Sequence, residues 1–253
     1  MNLDRVIAVR NNKTIYRDGD RCVKVFNAEY SKADVLNEAL NQARIEETGL
    51  NIPKVLEVTM IDGKWAIVSE FIKGKTLAQL IKEAEDDADK KAQYIELLVE
   101  LQMSVHAKTC PLLNRIKDRM NMKISQCDLD ATTRFDLHAR LERMPKQSVI
   151  CHGDFRPSNI IIPEDGEPFI LDWSHATQGD PAADAAQTYL RFWLNGDITG
   201  ARIYLDTFCE KSGIDKQHIY SWMPIVAAAR SVDGNNVKER EFLLSWVNTV
   251  YEE

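Results

Sequence analysis

The stretch Val149–Trp173, V-I-C-H-G-D-F-R-P-S-N-I-I-I-P-E-D-G-E-P-F-I-L-D-W, decides how the chain is read. Two apolar runs, Val149–Cys151 and Ile160–Ile162, flank a polar loop, and a third run, Phe169–Leu171, leads into Asp172. Runs this short, bounded by turn residues, read as buried strands. His152, Asp154, Asn159 and Asp172 then fall at strand ends or in the connecting loop, where a rigid scaffold can hold polar groups together.

Phosphoryl transfer from a nucleotide requires these groups. A carboxylate accepts the hydroxyl proton of the acceptor, and an amide oxygen with a second carboxylate holds magnesium against the phosphates. Asp154 fits the first role, and Asn159 with Asp172 the second. Magnesium takes hard oxygen ligands and keeps several waters, so one Asn, one Asp and phosphate oxygens are enough. With each residue type at about 5%, this spacing arises by chance in roughly one or two chains per thousand of this length. The competing explanation is that these residues only cap and close turns.

H-G-D-F-R-P-S-N-I-I-I followed by I-L-D-W resembles the catalytic and metal-binding segments of the aminoglycoside phosphotransferase and choline kinase superfamily, small-molecule kinases with a protein-kinase-like fold. The comparable protein-kinase elements are H-R-D-L-x-x-x-N and D-F-G. Here Gly153 precedes Asp154 and Trp173 follows Asp172, which favours the small-molecule branch. The resemblance implies an α+β, two-lobed protein-kinase-like fold. Its N-lobe, residues 1–70, would be an antiparallel sheet with one helix, and residues 71–75 a hinge. A larger, mainly helical C-lobe, residues 76–253, would carry the catalytic loop (149–162), the metal-binding segment (169–173) and the acceptor site. The resemblance further implies ATP or GTP as phosphoryl donor, Mg2+ as cofactor, and a hydroxyl of an aminoglycoside, choline-like amino alcohol or sugar-like metabolite as acceptor. His152 would fix the loop by hydrogen bonding, and Arg156 would stabilise the loop or the transferring group.

Composition is ordinary for a soluble globular protein. The 253 residues are 44% hydrophobic and 28% charged, enough for one large domain or two lobes. No apolar run approaches the roughly 20 residues of a membrane span and no secretory leader opens the chain, so the expectation is a cytoplasmic protein without a membrane partner. Five cysteines, Cys22, Cys110, Cys127, Cys151 and Cys209, show no C-x-x-C spacing, which argues against a disulfide framework or a zinc site. Cys151, at the end of an apolar run, reads as a small core residue. Net charge is −7 and no basic stripe carries interleaved aromatics, which argues against a nucleic-acid partner and makes a cationic acceptor electrostatically favourable.

Val6–Val9, Thr14–Arg17 and Arg21–Phe26 read as strands, the last two joined at Asp18-Gly19-Asp20, and Lys54–Met60 with Trp65–Glu70 as a further hairpin. Alternation puts Lys24 opposite Val23 and Val25. In the resembled family the lysine of such a strand meets the nucleotide phosphates and is braced by a helix glutamate. The helix Ser31–Glu47, with apolar positions Val35, Leu36, Ala39, Leu40 and Ala43, offers Glu38 for that brace. Ser69, Glu70, Phe71 and Ile72 would form the hinge whose backbone binds the purine. The family's phosphate-covering loop is usually glycine-rich, whereas Val9–Thr14, V-R-N-N-K-T, has no glycine. That departure leaves open a nucleotide-binding pseudokinase, and a protein kinase is the remaining alternative.

Helical patterns follow: a helix capped by Thr76, then Asp89–Lys108, Leu112–Cys127, Asp128–Met144, one opened by Asp180-Pro181, Ile198–Ser212, Asp215–Ala229 and Lys238–Val250. His106 reads as a packed core histidine, and Asp184 matches the family's structural brace for the catalytic loop. Asp206, Glu210 and Asp215 read as surface acids.

Overall fold

Five strands, β1 (Arg5–Val9), β2 (Lys13–Asp18), β3 (Arg21–Phe26), β4 (Val55–Ile61) and β5 (Lys64–Glu70), form an antiparallel sheet in the order β1-β2-β3-β5-β4. One helix, α1 (Lys32–Glu46), lies between β3 and β4 in sequence. The computed structural model describes residues 3, 5–10, 12–233 and 236–248. Asn11 of the glycine-free loop and Val250 of the last expected helix lie outside the described residues.

Period-two alternation gives the sheet two different faces. Val23 and Val25 pack with Ala66 and Val68, and Tyr16 and Ile61 extend this cluster. On the other face Phe26 and Ile67 pack against Val35 and Ala39 of α1. Ser31 caps α1, its hydroxyl accepting from the amide of Asp34.

The buried face of α1 differs from the apolar stripe expected from sequence. Leu36 and Leu40 are exposed, whereas Val35, Glu38, Ala39, Gln42 and Ile45 face inward at three- and four-residue spacing. Two of its polar members are bonded: Gln42 Nε2 donates to the carbonyl of Pro53 at 2.6 Å, and Glu38 is ion-paired; Asn41 is also buried, with its Oδ1 unpaired among the described residues.

The chain continues through β6 (Lys75–Thr76), α2 (Leu77–Glu83), α3 (Ala88–His106), α4 (Ile116–Gln126), α5 (Ala131–Arg143) and β7 (Val149–Cys151). A 3-10 turn at Pro157–Asn159 leads into β8 (Ile160–Ile162) and β9 (Phe169–Ile170), and a second at Trp173–His175 into β10 (Thr177–Gly179). Helices α6 (Pro181–Leu194), α7 (Ile198–Ser212), α8 (Lys216–Ser231) and α9 (Val237–Ser245) follow. Thr76 and Gln79 cap α2 reciprocally, the Thr76 hydroxyl accepting from the Gln79 amide and Gln79 Oε1 from the Thr76 amide.

Two units emerge, and they interleave along the sequence. One comprises the residues up to Glu83 together with Pro157–His175; the other comprises Ala84–Arg156 and the residues from Ala176 onward. Pairing accounts for the interleaving: β8 hydrogen-bonds β6 and β9, and Asn51 Nδ2 donates to the carbonyls of Glu167 and Pro168, which draws 157–175 into the first unit. In the second unit β7 pairs with β10, and α6 packs against α7 and α8. Among the described residues no helix is long and apolar enough to cross a membrane, and the five cysteines are free thiols.

Candidate functional site

In the first unit, Glu38 receives two lysines. Lys24 Nζ donates to Glu38 Oε1 at 2.9 Å, and Lys13 Nζ donates to both carboxylate oxygens at 3.0 and 3.1 Å. Sheet register explains the pair, since Lys13 lies opposite Phe26 and Ile15 opposite Lys24, so both lysines lie on the face covered by α1. Asp172 Oδ1 stands 3.6 Å from Lys13 Nζ and 4.0 Å from Lys24 Nζ. Burial works against the charge on Lys24, but Glu38 and then Asp172 overcome it and raise its pKa. Burial would likewise raise the Glu38 carboxyl, yet Lys24 and Lys13 hold it below the ordinary range. Lys13 was not recognised in the sequence, where it fell in the turn after β1.

Asn159 and Asp172 leave the same end of one hairpin. Ile160 pairs with Ile170, and the Leu171 amide donates to the carbonyl of Asn159 at 2.8 Å. Asn159 is buried. Asp172 adopts φ +62°, a left-handed conformation uncommon for a residue with a Cβ, and Ser174 Oγ donates to its Oδ1 at 3.1 Å. One amide oxygen and one carboxylate form a hard donor set that fits magnesium shared with a phosphate. Among the described residues no three His, Cys, Asp or Glu side chains gather as an all-protein cage.

The expected hinge has mostly committed amides. The Glu70 amide donates to the carbonyl of Lys54 and the Phe71 amide to that of Asp20, and Ser69 lies within β5. Arg17 stacks over the Phe71 ring at 4.2 Å. Ile72 makes no backbone hydrogen bond among the described residues, so it is the hinge position with polar groups to offer.

In the second unit, β7 leads into the loop expected to be catalytic. The Asp154 amide donates to His152 Nδ1 at 3.2 Å, and the His152 ring is fully buried edge-on to Phe155. Gly153 takes φ +81°, which glycine adopts without a Cβ penalty, and its amide donates to Asp184 Oδ1 at 2.7 Å. Asp184 Oδ2 also receives Gln102 Nε2 at 3.1 Å and lies 3.0 Å from His106 Nε2. Burial would raise the Asp184 carboxyl, but the hydrogen bonds from His106 and from the Gly153 amide keep it low. Asp184 therefore braces the loop, and His106 belongs to the core. Cys151 is buried, and burial beside Asp184 and Asp180 pushes its thiol well up, as befits a core residue.

Helix α6 reads along this loop. Asp184 binds the Gly153 amide, Thr188 Oγ1 donates to the carbonyl of Phe155 at 3.0 Å, and Arg191 binds Asp154 Oδ1 through Nε at 2.7 Å and Nη2 at 2.6 Å. Positions 184, 188 and 191 form one helical face. Arg191 was missed in the sequence, although that spacing from Asp184 was the available signal. Arg156 Nε lies 3.1 Å from Asp154 Oδ2, close enough for ion pairing but outside hydrogen-bond geometry. Burial would raise the Asp154 carboxyl, yet Arg191, Arg156 and Arg230 hold it below its ordinary range.

Two more arginines act on the same carboxylate. Arg230 of α8 is pushed down to about 10 by burial and the Arg191 charge, and its Nε is buried without a hydrogen-bond partner among the described residues. Arg119 of α4, also lowered by burial, feels Asp233 and Asp154. Asp206 and Glu210 are exposed, Asp206 pairs with Lys216, and Asp215 caps α8. Trp222 is core, donating from Nε1 to Asp180 Oδ2.

A family model described as the phosphotransferase enzyme family matches residues 6–216. Aminoglycoside 3'-phosphotransferase of Streptomyces fradiae is 24% identical over 215 residues, 76% of this chain and 78% of that protein. A 75-residue stretch is 39% identical to acyl-CoA dehydrogenase family member 10 of Mus musculus; it covers 28% of this chain and spans 7% of that longer protein. Among solved structures, aminoglycoside phosphotransferase APH(4)-Ia aligns with TM-score 0.69 at 16% identity, covering 96% of this chain and 90% of that one. Choline kinase LicA of Streptococcus pneumoniae aligns with TM-score 0.65 at 14% identity, covering 98% and 93%. Thermostable mutants of APH(4)-Ia were solved with ADP and hygromycin B and with AMP-PNP and hygromycin B. The chain has the α+β, kinase-like fold of these proteins.

Proposed function

Because the chain belongs to the phosphotransferase enzyme family, we propose that it transfers the γ-phosphoryl group of a nucleoside triphosphate to a hydroxyl of a small molecule. The observation that carries this reading is the buried Lys24–Glu38 ion pair with Asp172 alongside, a constellation that phosphate handling explains better than stability does. Lys24, positioned by Glu38, neutralises phosphate charge, and Asn159 with Asp172 would hold magnesium. Bound magnesium would offset negative charge on the phosphate oxygens. The purine meets the backbone at Ser69–Ile72, with Ile72 the residue whose amide and carbonyl are available. Adenine nucleotides in APH(4)-Ia support ATP as the donor.

Asp154 orients the acceptor hydroxyl and takes its proton as the oxygen attacks the γ-phosphorus and the bond to the β-phosphate oxygen breaks, releasing the nucleoside diphosphate. His152 and Arg156 hold the loop that presents it. The test is magnesium-dependent nucleotide consumption stimulated by hydroxylated acceptors, in wild type and in Asp154→Asn. The variant should turn over roughly 10²–10⁴ more slowly while still binding nucleotide. Acceptor-stimulated turnover at the wild-type rate in that variant would overturn the role of Asp154.

A further inference from the structure

The charge around Asp154 is opposite in sign to the charge of the whole chain. Arg191 satisfies Oδ1, and that single pair would be enough to neutralise one buried carboxylate. Arg156 nevertheless stands 3.1 Å from Oδ2, and Arg230, carried by α8 against α6, adds a third guanidinium whose charge bears on Asp154 and on Arg191. Glu239 is the other carboxylate that acts on Arg230. The Nε groups of Arg156 and Arg230 are buried and hydrogen-bond no protein atom among the described residues. Buried donors of this kind are normally paired, and the planar guanidinium fork matches carboxylate and phosphate oxygens.

We propose that the acceptor carries an anionic group, a carboxylate or a phosphate monoester, beside the hydroxyl that it presents to Asp154, and that Arg156 and Arg230 receive it. The proposal rests on the phosphotransferase reading for the identity of the hydroxyl, and it deepens that reading by fixing the charge class of the acceptor. An ammonium group in the same place would face an excess of positive charge at short range in a partly buried setting, where screening is weak. The net charge of −7 is spread over the surface and does not describe the field that the acceptor meets. The γ-phosphoryl group is the other anion that such a cluster could hold, and the experiment separates the two.

The test uses matched skeletons that differ only in one terminal group: gluconate, sorbitol and glucamine, and glycerate, glycerol and aminopropanediol, with glycerol phosphate as the phosphate form. Binding is read by thermal shift and calorimetry on the full chain without nucleotide, so the result does not depend on transfer. The anionic members should bind about tenfold or more tighter than their neutral partners, and the amines weakest. Arg230→Gln should abolish that preference while leaving nucleotide affinity unchanged. Absence of any charge preference, including absence of binding by all seven compounds, overturns the proposal, as does preference for the amines. Weakened nucleotide binding in Arg230→Gln with acceptor binding intact also overturns it and assigns the cluster to the donor phosphate. Anion-selective binding without nucleotide consumption would instead refute phosphoryl transfer and leave the charge class standing.

Discussion

Arg191 grips a single oxygen of Asp154: its Nε and Nη2 both reach Oδ1, at 2.7 and 2.6 Å, while Oδ2 faces Arg156 Nε at 3.1 Å. The fork fixes the orientation of the carboxylate, which the proposed role of Asp154 in orienting and deprotonating the acceptor hydroxyl requires. Lysine keeps the charge but loses the fork. Arg191→Lys should lower kcat by about tenfold to a hundredfold with nucleotide KM unchanged. Steady-state kinetics decide this, and an unaltered kcat would remove Arg191 as a positioning residue.

In the proposed reaction the depressed Asp154 carboxyl would set the acid limb of activity. The ionised form is the active one, so turnover persists above the folded-state pKa and disappears as pH falls through it. That limb should lie below the ordinary Asp value of about 4, and Arg191→Met should move it upward. Asp184 contributes to stability with the same sign: its contribution is complete above the unfolded carboxyl pKa and is lost as pH drops through the lower folded value. Urea midpoints measured down the acid range should fall less steeply for Asp184→Asn than for wild type, and equal slopes would contradict the assignment.

Glu38 serves two buried ammonium groups, so its loss is not equivalent to the loss of either partner. Glu38→Gln leaves Lys13 and Lys24 with Asp172 alone and should destabilise the fold by about 3–5 kcal/mol. Lys13→Met should cost less, because Lys24 still pairs with the carboxylate. Urea denaturation ranks the variants, and the reverse order would show that Lys13 is the dominant partner.

The backbone at Asp172 stores strain that a comparison of two substitutions isolates. Asp172→Ala and Asp172→Gly both remove the carboxylate, but only alanine retains a Cβ at φ +62°. The glycine variant should be the more stable by about 1 kcal/mol, and both should lose activity. Equal urea midpoints would mean that residues 171–173 relax once the side chain is gone.

Much of the first unit was legible because alternation and turn chemistry are local. Strands β2 to β5 fall within one residue of the expected positions, and Lys24 and Glu38, read as partners, stand 2.9 Å apart. What escaped depends on contacts distant in sequence. Lys13 becomes part of the site through its register with Phe26, and the inward face of α1 carries Glu38 and Gln42, whose partners lie elsewhere in the chain. Residues 157–175 join the first unit because β8 pairs with β6, two residues long and preceded by no strong strand pattern. Arg191 lay within reach of sequence reasoning once Asp184 was assigned, since a helical face extends in both directions from any residue placed on it.

That face also makes α6 a ruler. Each residue advances the helix by about 100°, so inserting one residue between Thr188 and Arg191 would swing the guanidinium away from Asp154 while Asp184 and Thr188 kept their hold on Gly153 and Phe155. The length of this segment is therefore as constrained as its side chains: a single added or deleted position would leave the loop anchored and its carboxylate unaimed.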